Sequence, residues 1–152
     1  MTRILSIDLG KTGAWAMFTD NALDCVADLA IDAAGRLDPD PIFELAVSAD
    51  QIVVEKLHAM PLGSAANFSQ GRMSGAIHAI AALVACPLVE VRPQAWKKGL
   101  GFTTSGNREQ KLEAREMAGR LYPEFLSEFA RVKDHDRADA VLIGHYLLTV
   151  TP

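Results

Sequence analysis

Short apolar runs along this chain are separated by turn residues and by longer segments of helical periodicity. Runs rich in β-branched residues predict strands, whereas apolar residues spaced three and four apart predict helices. The predicted strands span 3–8, 13–18, 23–31, 51–55 and 88–91. The predicted helices span 41–48, 64–86, 93–98, 107–121 and 136–148. This order predicts an α/β fold in which an antiparallel meander leads into parallel crossovers.

Composition places the chain among ordinary globular proteins. Its 152 residues are 49% hydrophobic and 22% charged, which predicts one domain spanning 1–152 with a core of its own. The apolar runs all fall short of the roughly 18 residues that a membrane span requires, so we expect no membrane partner and a cytoplasmic location. Cys25 and Cys86 have apolar neighbours and no metal-ligand spacing, which predicts two buried thiols.

Charge is distributed unevenly along the chain. The net charge is −4, yet residues 92–120 carry seven Lys and Arg against three Asp and Glu, a local excess of +4. Such an asymmetry is typical of a surface that faces a polyanion. The alternative is a helix whose charged face is simply solvated.

Two carboxylates are predicted to end buried strands. Asp8 follows the apolar run 4–7, and Glu55 follows Ile52, Val53 and Val54. A side chain just beyond a buried strand lies at the rim of the sheet, where open α/β folds bind ligands. For Asp8 alone, ordinary turn chemistry before Gly10 is an equally good explanation.

A second pair of carboxylates opens the last predicted helix. Asp136 and Asp139 are three residues apart and therefore share a helix face. Asp136 as an N-cap and Asp139 as a first-turn acid would also explain the pair. The small and apolar residues 138 and 140–143 instead predict a helix packed on the sheet, with its acids pointing to the same rim.

Four carboxylates at one rim would repel one another unless a counter-charge is present. Mg²⁺ prefers carboxylate and water oxygens. Two such ions roughly 3.5–4 Å apart form the clamp of phosphoryl-transfer enzymes, in which one activates a water and the other stabilises the leaving oxygen. The pattern therefore predicts metal-assisted hydrolysis of phosphodiester bonds.

The ordered set of motifs resembles the RuvC-type Holliday junction resolvases of the RNase H-like superfamily over nearly the whole chain, especially their phage and prophage members. The matching segments are ILSIDLG at 4–10 with TGAWA at 12–16, IVVE at 52–55, QGR at 70–72 with Gly75, VRPQAWKK at 91–98, KLEAREMAGRLYP at 111–123 and DRADA at 136–140. The resemblance implies an RNase H-like mixed five-stranded sheet flanked by helices.

The same resemblance implies the chemistry and the partners. Asp8, Glu55, Asp136 and Asp139 would bind two Mg²⁺ ions, which Mn²⁺ could replace. Lys97 and Lys111 would be the catalytic basic residues near the scissile phosphate. The remaining residues expected to contact DNA are Lys98, Arg108, Arg115, Phe68 and Arg72. A homodimer would nick two opposed strands of a four-way junction, with no nucleotide cofactor.

Some features depart from the family pattern. Residues 99–107 look like a small insertion between the two lysine positions, and the segment 57–63 carries no aromatic pair to act as a junction-opening wedge. Phe68 is the nearest aromatic residue to that segment. His135 adjoins the acidic pair and could orient a water or a ligand.

Three other functions remain open from the sequence. The segment 7–13 also resembles the phosphate loop of sugar-kinase and actin-like ATPases, although these need two lobes and 152 residues supply one. The YqgF-like group, an RNase H-fold relative acting on RNA, is of similar size. A non-catalytic DNA-binding module is the third alternative.

A stripe of small residues bears on assembly. Gly71, Gly75 and Ala79 recur every fourth residue and predict a smooth face on the long helix. Because a four-way junction has two-fold symmetry, this face would suit a C2 dimer. Packing of the same face on the chain's own sheet is the alternative.

Overall fold

A central mixed sheet with helices on both faces organises the chain. The computed structural model describes residues 1–10, 12–57 and 63–150. Its five strands lie in the order β3-β2-β1-β4-β5. They are β1 Arg3–Asp8, β2 Ala14–Thr19, β3 Ala22–Asp28, β4 Gln51–Glu55 and β5 Leu88–Val91. Strands β1, β2 and β3 form the antiparallel meander, and β4 and β5 extend the sheet parallel to β1.

Five α-helices and two short 3₁₀ helices connect and cover the strands. The α-helices are α1 Pro39–Val47, α2 Ser64–Leu83, α3 Pro93–Gly99, α4 Asn107–Leu121 and α5 His135–Thr149. The 3₁₀ helices span Pro123–Phe129 and Val132–Asp134. None of these helices has the length and hydropathy needed to cross a membrane, within the part of the chain that the structure describes.

Alternation along β1 divides the core into two layers. Leu5 and Ile7 pack with the buried residues of α1 and α2 on one face of the sheet, whereas Ile4 packs with those of α3, α4 and α5 on the other. Ser6 is fully buried on the second face, and its hydroxyl donates to the Ala140 carbonyl at 2.6 Å. This bond satisfies the buried hydroxyl and fixes α5 against the sheet.

Close packing of α5 on β2 depends on a glycine. A Cβ at Gly144 would lie 2.3 Å from the Phe18 ring, far inside van der Waals contact. The helix axis can therefore approach the strand only because residue 144 has no side chain. The prediction that this helix packs tightly on the sheet is confirmed.

Several predicted boundaries were wrong by a few residues. Strand β3 ends at Asp28 rather than at 31, because the chain then leaves the ladder and Ile31 makes only an isolated bridge to Leu37. Helix α2 ends at Leu83 rather than at 86, because Ala85 adopts a positive φ of 54° and Cys86 N–H turns back to the Ala81 carbonyl at 2.9 Å. The two 3₁₀ helices were not predicted, since short turns leave no periodicity in a sequence.

Two predictions about individual side chains also change. Cys86 is buried as expected, whereas Cys25 is exposed. Cys25 lies on β3, which has a neighbouring strand only on the β2 side. The prediction of a buried thiol was therefore wrong for Cys25.

Candidate active site

Asp8 ends β1 in a tightly packed acidic environment. Only 6% of its surface is exposed, and the Gly10 N–H donates to its Oδ1 at 3.2 Å. A Cβ placed on Gly10 would lie 3.2 Å from Asp136 Oδ1 and 3.3 Å from Asp8 Oδ2. Asp8 and Asp136 therefore face the same small space, which stays open because residue 10 is a glycine.

Asp136 lies in the first turn of α5 and is as buried as Asp8. The helix N-cap is Asp134, so the alternative of Asp136 as the N-cap is wrong. Thr12 Oγ1 donates a short hydrogen bond to Asp136 Oδ2. His135 Nε2 lies 3.0 Å from Asp136 Oδ1, and its Nδ1 lies 3.1 Å from the Val132 carbonyl. His135 therefore links the Asp136 carboxylate to the preceding 3₁₀ helix.

The start of α5 is also held by ion pairs from Arg137. Arg137 is 16% exposed and binds both carboxylate oxygens of Asp28 at 2.7 and 3.0 Å. Its Nη1 also donates to Glu128 at 2.7 Å. Paired, bidentate contacts of this kind fix orientation, so they set the direction in which the first turn of α5 presents Asp136.

Glu55 ends β4 beside the end of β1, as the parallel pairing of these strands requires. Its Oε1 accepts a hydrogen bond from the indole N–H of Trp96 at 2.9 Å. Trp96 is fully buried. The contact with Glu55 was not predicted from the sequence, although a buried indole N–H needs an acceptor.

Burial and neighbouring charges act together on two of the carboxylates, Asp8 and Asp139. Burial raises the pKa of Asp8 well above its usual range, and the charges of Asp139, Asp136 and Glu55 raise it further. Burial likewise raises the pKa of Asp139 to about 7, with Lys97 and Lys111 opposing the shift and Glu55 and Asp136 adding to it. The fold thus brings together all four predicted acids and both predicted lysines.

The donor set suits a hard divalent cation. The four side chains offer carboxylate oxygens alone, and their mutual repulsion is the kind that Mg²⁺ relieves. Within the described ranges, no three His, Cys, Asp or Glu side chains meet closely enough to enclose one ion. Mg²⁺ commonly binds only one or two protein carboxylates and completes its coordination shell with water and phosphate oxygens. Pairs of acids at the rim of the sheet are therefore compatible with Mg²⁺ binding.

Lys97 and Lys111 approach the acids from two different helices. Lys97 lies in the last turn of α3, where its Nζ is 3.2 Å from Gln110 Oε1 and 5.3 Å from the centre of the Trp96 ring. Lys111 lies one residue beyond Gln110 in α4. Both ammonium groups act on Asp139, so they oppose the excess negative charge of the cluster.

The other predicted DNA contacts have different surroundings. Lys98 and Arg108 are exposed. Arg108, Lys111 and Arg115 line a groove of about 600 Å³ on α4 together with Val132. Arg115 also has an internal role that was not predicted, because its Nη1 donates to the Phe129 and Ala130 carbonyls at 3.3 and 3.1 Å.

Phe68 and Arg72 lie on α2, on the face of the sheet opposite to α3 and α4. Arg72 stacks on the Phe68 ring at 5.9 Å and donates to the Gly35 carbonyl at 3.3 Å. The structure therefore groups these two residues with each other, away from the lysines. Lys11 of the segment that resembles a phosphate loop lies outside the described residues, as do residues 58–62 of the segment that lacks an aromatic pair.

Comparison with known proteins identifies the fold. No family model and no curated protein matches the chain. A solved structure of T. thermophilus RuvC in complex with Holliday junction substrate matches with a TM-score of 0.70 and 16% identity, over 99% of this chain and 98% of that one. A second Thermus thermophilus RuvC structure matches with a TM-score of 0.59 and 19% identity over the same shares. The chain therefore has the RuvC, RNase H-like fold, as its motifs predicted.

Proposed function

We propose that this chain is a metal-dependent endonuclease that resolves four-way DNA junctions by paired nicks. One observation carries the proposal: four acids from three distant segments of the sequence share one electrostatic cluster with two lysines, on a RuvC fold. An isolated acidic residue needs no such explanation. Carboxylates that crowd Asp8 and Asp139 closely enough to raise the pKa of both are costly unless they bind a cation.

Each residue has a role in the proposed chemistry. Asp8, Glu55, Asp136 and Asp139 would hold Mg²⁺, or Mn²⁺ in its place. When bound, the metal supplies an activated water and charge stabilisation for the leaving 3′-oxygen. Trp96 fixes the Glu55 carboxylate by its hydrogen bond.

Lys97 and Lys111 serve the phosphate rather than the metal. A phosphodiester approaching four carboxylates meets a repulsive field, and two ammonium groups beside Asp139 weaken that field where the phosphate must sit. In the transition state the same charges stabilise the additional negative charge on the phosphate oxygens. The basic residues of the α4 groove would extend this attraction along the strand.

Assembly as a homodimer is part of the proposal. Gly71, Gly75 and Ala79 are all exposed, and a Cβ on either glycine would contact nothing within 4 Å. Packing of this stripe on the chain's own sheet was the alternative, and it is wrong. An open, smooth face of this kind is available to a second copy, which would place two active sites on a two-fold symmetric junction.

The proposal is tested with end-labelled DNA. The full chain is incubated with a four-way junction, a linear duplex of the same sequence and an RNA duplex, each with Mg²⁺ and with EDTA. We expect paired nicks in the junction only, dependent on Mg²⁺, and a loss of at least about 10²-fold in rate for Asp8→Asn. Asp24→Asn, an exposed acid on β3, serves as the matched control.

Other results would redirect the assignment. Cleavage confined to RNA would favour the YqgF-like alternative. Tight junction binding without cleavage in any metal would favour the non-catalytic module. Cleavage by Asp8→Asn at the rate of Asp24→Asn would contradict the proposed site.

A further inference from the structure

The side chain of Lys97 is unusually well fixed for a lysine at the end of a short helix. A free lysine ammonium is a flexible, strongly hydrated charge on a four-carbon stem. Here the ammonium donates to Gln110 Oε1 at 3.2 Å and lies over the Trp96 ring. Lys97 is also the strongest influence that lowers the pKa of Asp139. Its position at the acids therefore depends on a neighbour in a different helix.

Gln110 has its own orientation fixed by a second contact. Its Nε2 donates to the Thr104 carbonyl at 2.9 Å. A carbonyl can only accept a hydrogen bond, so the amide must present its NH₂ group to Thr104. The amide oxygen is then the end that faces Lys97, and it can only accept. The two bonds together determine which way the side chain points.

Thr104 is in turn held by Glu113. The Glu113 carboxylate accepts hydrogen bonds from Thr103 N at 2.7 Å, Thr103 Oγ1 at 3.0 Å and Thr104 N at 3.0 Å, and a short one from Thr104 Oγ1. All four connect α4 to the segment 100–106, which separates the two lysine-bearing helices. The segment that looked like an insertion is therefore anchored next to the site.

We propose that Gln110 is a positioning residue that holds the Lys97 ammonium at the acidic cluster, with the segment 100–106 and Glu113 as its support. This inference rests on the proposed function, because the position of Lys97 matters only if its ammonium acts on a phosphate beside the acids. A neutral amide suits the task better than a carboxylate. It fixes the ammonium by one hydrogen bond and leaves its charge free to act on Asp139 and on a phosphate.

The test is a double-mutant cycle in the full chain. Gln110→Met and Gln110→Asn each remove the bridge, the second by shortening the amide by one methylene so that it cannot reach both partners. Single-turnover cleavage of the junction is expected to slow about 10-fold in either variant, with junction affinity unchanged within about two-fold. In a Lys97→Met background the same changes are expected to slow cleavage by less than about two-fold.

Gln94→Met is the matched control, since Gln94 is an exposed glutamine on the same helix as Lys97. It is expected to cleave at the unmodified rate. Equal slowing by Gln110→Met with and without Lys97 would overturn the inference, because an effect independent of Lys97 is not positioning. Loss of affinity in proportion to rate would overturn it as well.

A second readout does not depend on activity. In ¹⁵N-labelled protein at mildly acidic pH and low temperature, the Lys97 ammonium is expected to give a signal protected from solvent exchange, assigned by its absence in Lys97→Met. Gln110→Asn should abolish that protection and Gln94→Met should preserve it. Unchanged protection in Gln110→Asn would overturn the positioning role. Absence of cleavage by the unmodified chain would instead overturn the proposed function, and the signal would still test the contact.

Discussion

At the scale of single residues, Asp8 of the candidate site lies where an ionised carboxylate is unfavourable. Asp8 is buried, and three other carboxylates raise its pKa. An Asp whose pKa is raised by folding binds its proton more tightly in the folded state, so its ionisation destabilises the protein at any pH above its unfolded-state pKa. Stability lost in this way is typical of functional sites.

The metal-free Asp8→Asn variant is therefore expected to be more stable than the unmodified chain. At neutral pH in EDTA, its free energy of unfolding should rise by about 1–2 kcal/mol, because an amide removes one of four repelling charges. Chemical denaturation measures this change. Asp24→Asn should leave the free energy within about 0.5 kcal/mol. Equal or lower stability of Asp8→Asn would mean that the four acids do not crowd one another.

At the scale of elements, the connection between α3 and α4 is defined by one glutamate. Burial raises the pKa of Glu113, but hydrogen bonds from Thr104 and Thr103 outweigh it and lower the pKa to about 2. The charged groups beside it on α4 are Glu109, Glu116 and Arg120, which line the adjoining cavity of about 500 Å³. The segment 100–106 is thus attached to the helix by a carboxylate that remains ionised in moderate acid.

This attachment predicts a pH dependence with a definite sign. Because folding lowers the pKa of Glu113, its contribution to stability is complete above the unfolded-state pKa of about 4.3. The contribution is lost as the pH falls from there towards 2. The unmodified chain should therefore lose stability relative to Glu113→Gln across that interval, as measured by denaturant unfolding at a series of pH values. A constant difference between the two proteins would contradict the attachment.

At the scale of the whole molecule, the exposed stripe on α2 predicts a dimer. Sedimentation of the unmodified chain at micromolar concentration is expected to give a dimer. Gly75→Arg should give a folded monomer, because residue 75 faces open space and arginine favours a helix more than glycine does. Ala65→Arg is the control, because Ala65 is exposed on the same helix outside the stripe. Gly35→Arg is unsuitable, since arginine would be strained at the positive φ of 72°. A fully active monomer would exclude the dimer.

The basic excess of residues 92–120 predicts how DNA binding responds to salt. Arg108→Ala should lower the slope of log affinity against log salt by about one, whatever the DNA sequence. Lys97→Ala and Lys111→Ala should depress cleavage more than affinity, because these lysines lie at the acids. Arg36→Ala is the control, since Arg36 pairs with Asp32 in an exposed loop. Unchanged slopes and rates in all the variants would mean that the segment is only a solvated charged surface.

The sequence by itself determined most of the helices and strands and the acidic residues that end two of the strands. Apolar runs defined β1, β4 and β5, and helical periodicity defined α4 with its observed bounds. The placing of Asp8 and Glu55 at the rim of the sheet followed from the buried apolar runs that precede them. These features are local, or follow from general rules of chain connection, so one sequence is sufficient to find them.

Tertiary structure alone decided how the acids and lysines are held. The bond from Trp96 to Glu55 joins residues 41 positions apart, and the bond from Lys97 to Gln110 joins two different helices. The same is true of the hydrogen bonds from Arg115 to two backbone carbonyls, of the exposure of Cys25 and of the open stripe on α2. Each depends on neighbours in space that the periodicity of the sequence does not specify. A side chain's partner is set by the packing of α3, α4 and α5 against the sheet, and packing is a property of three-dimensional contacts rather than of spacing along the chain.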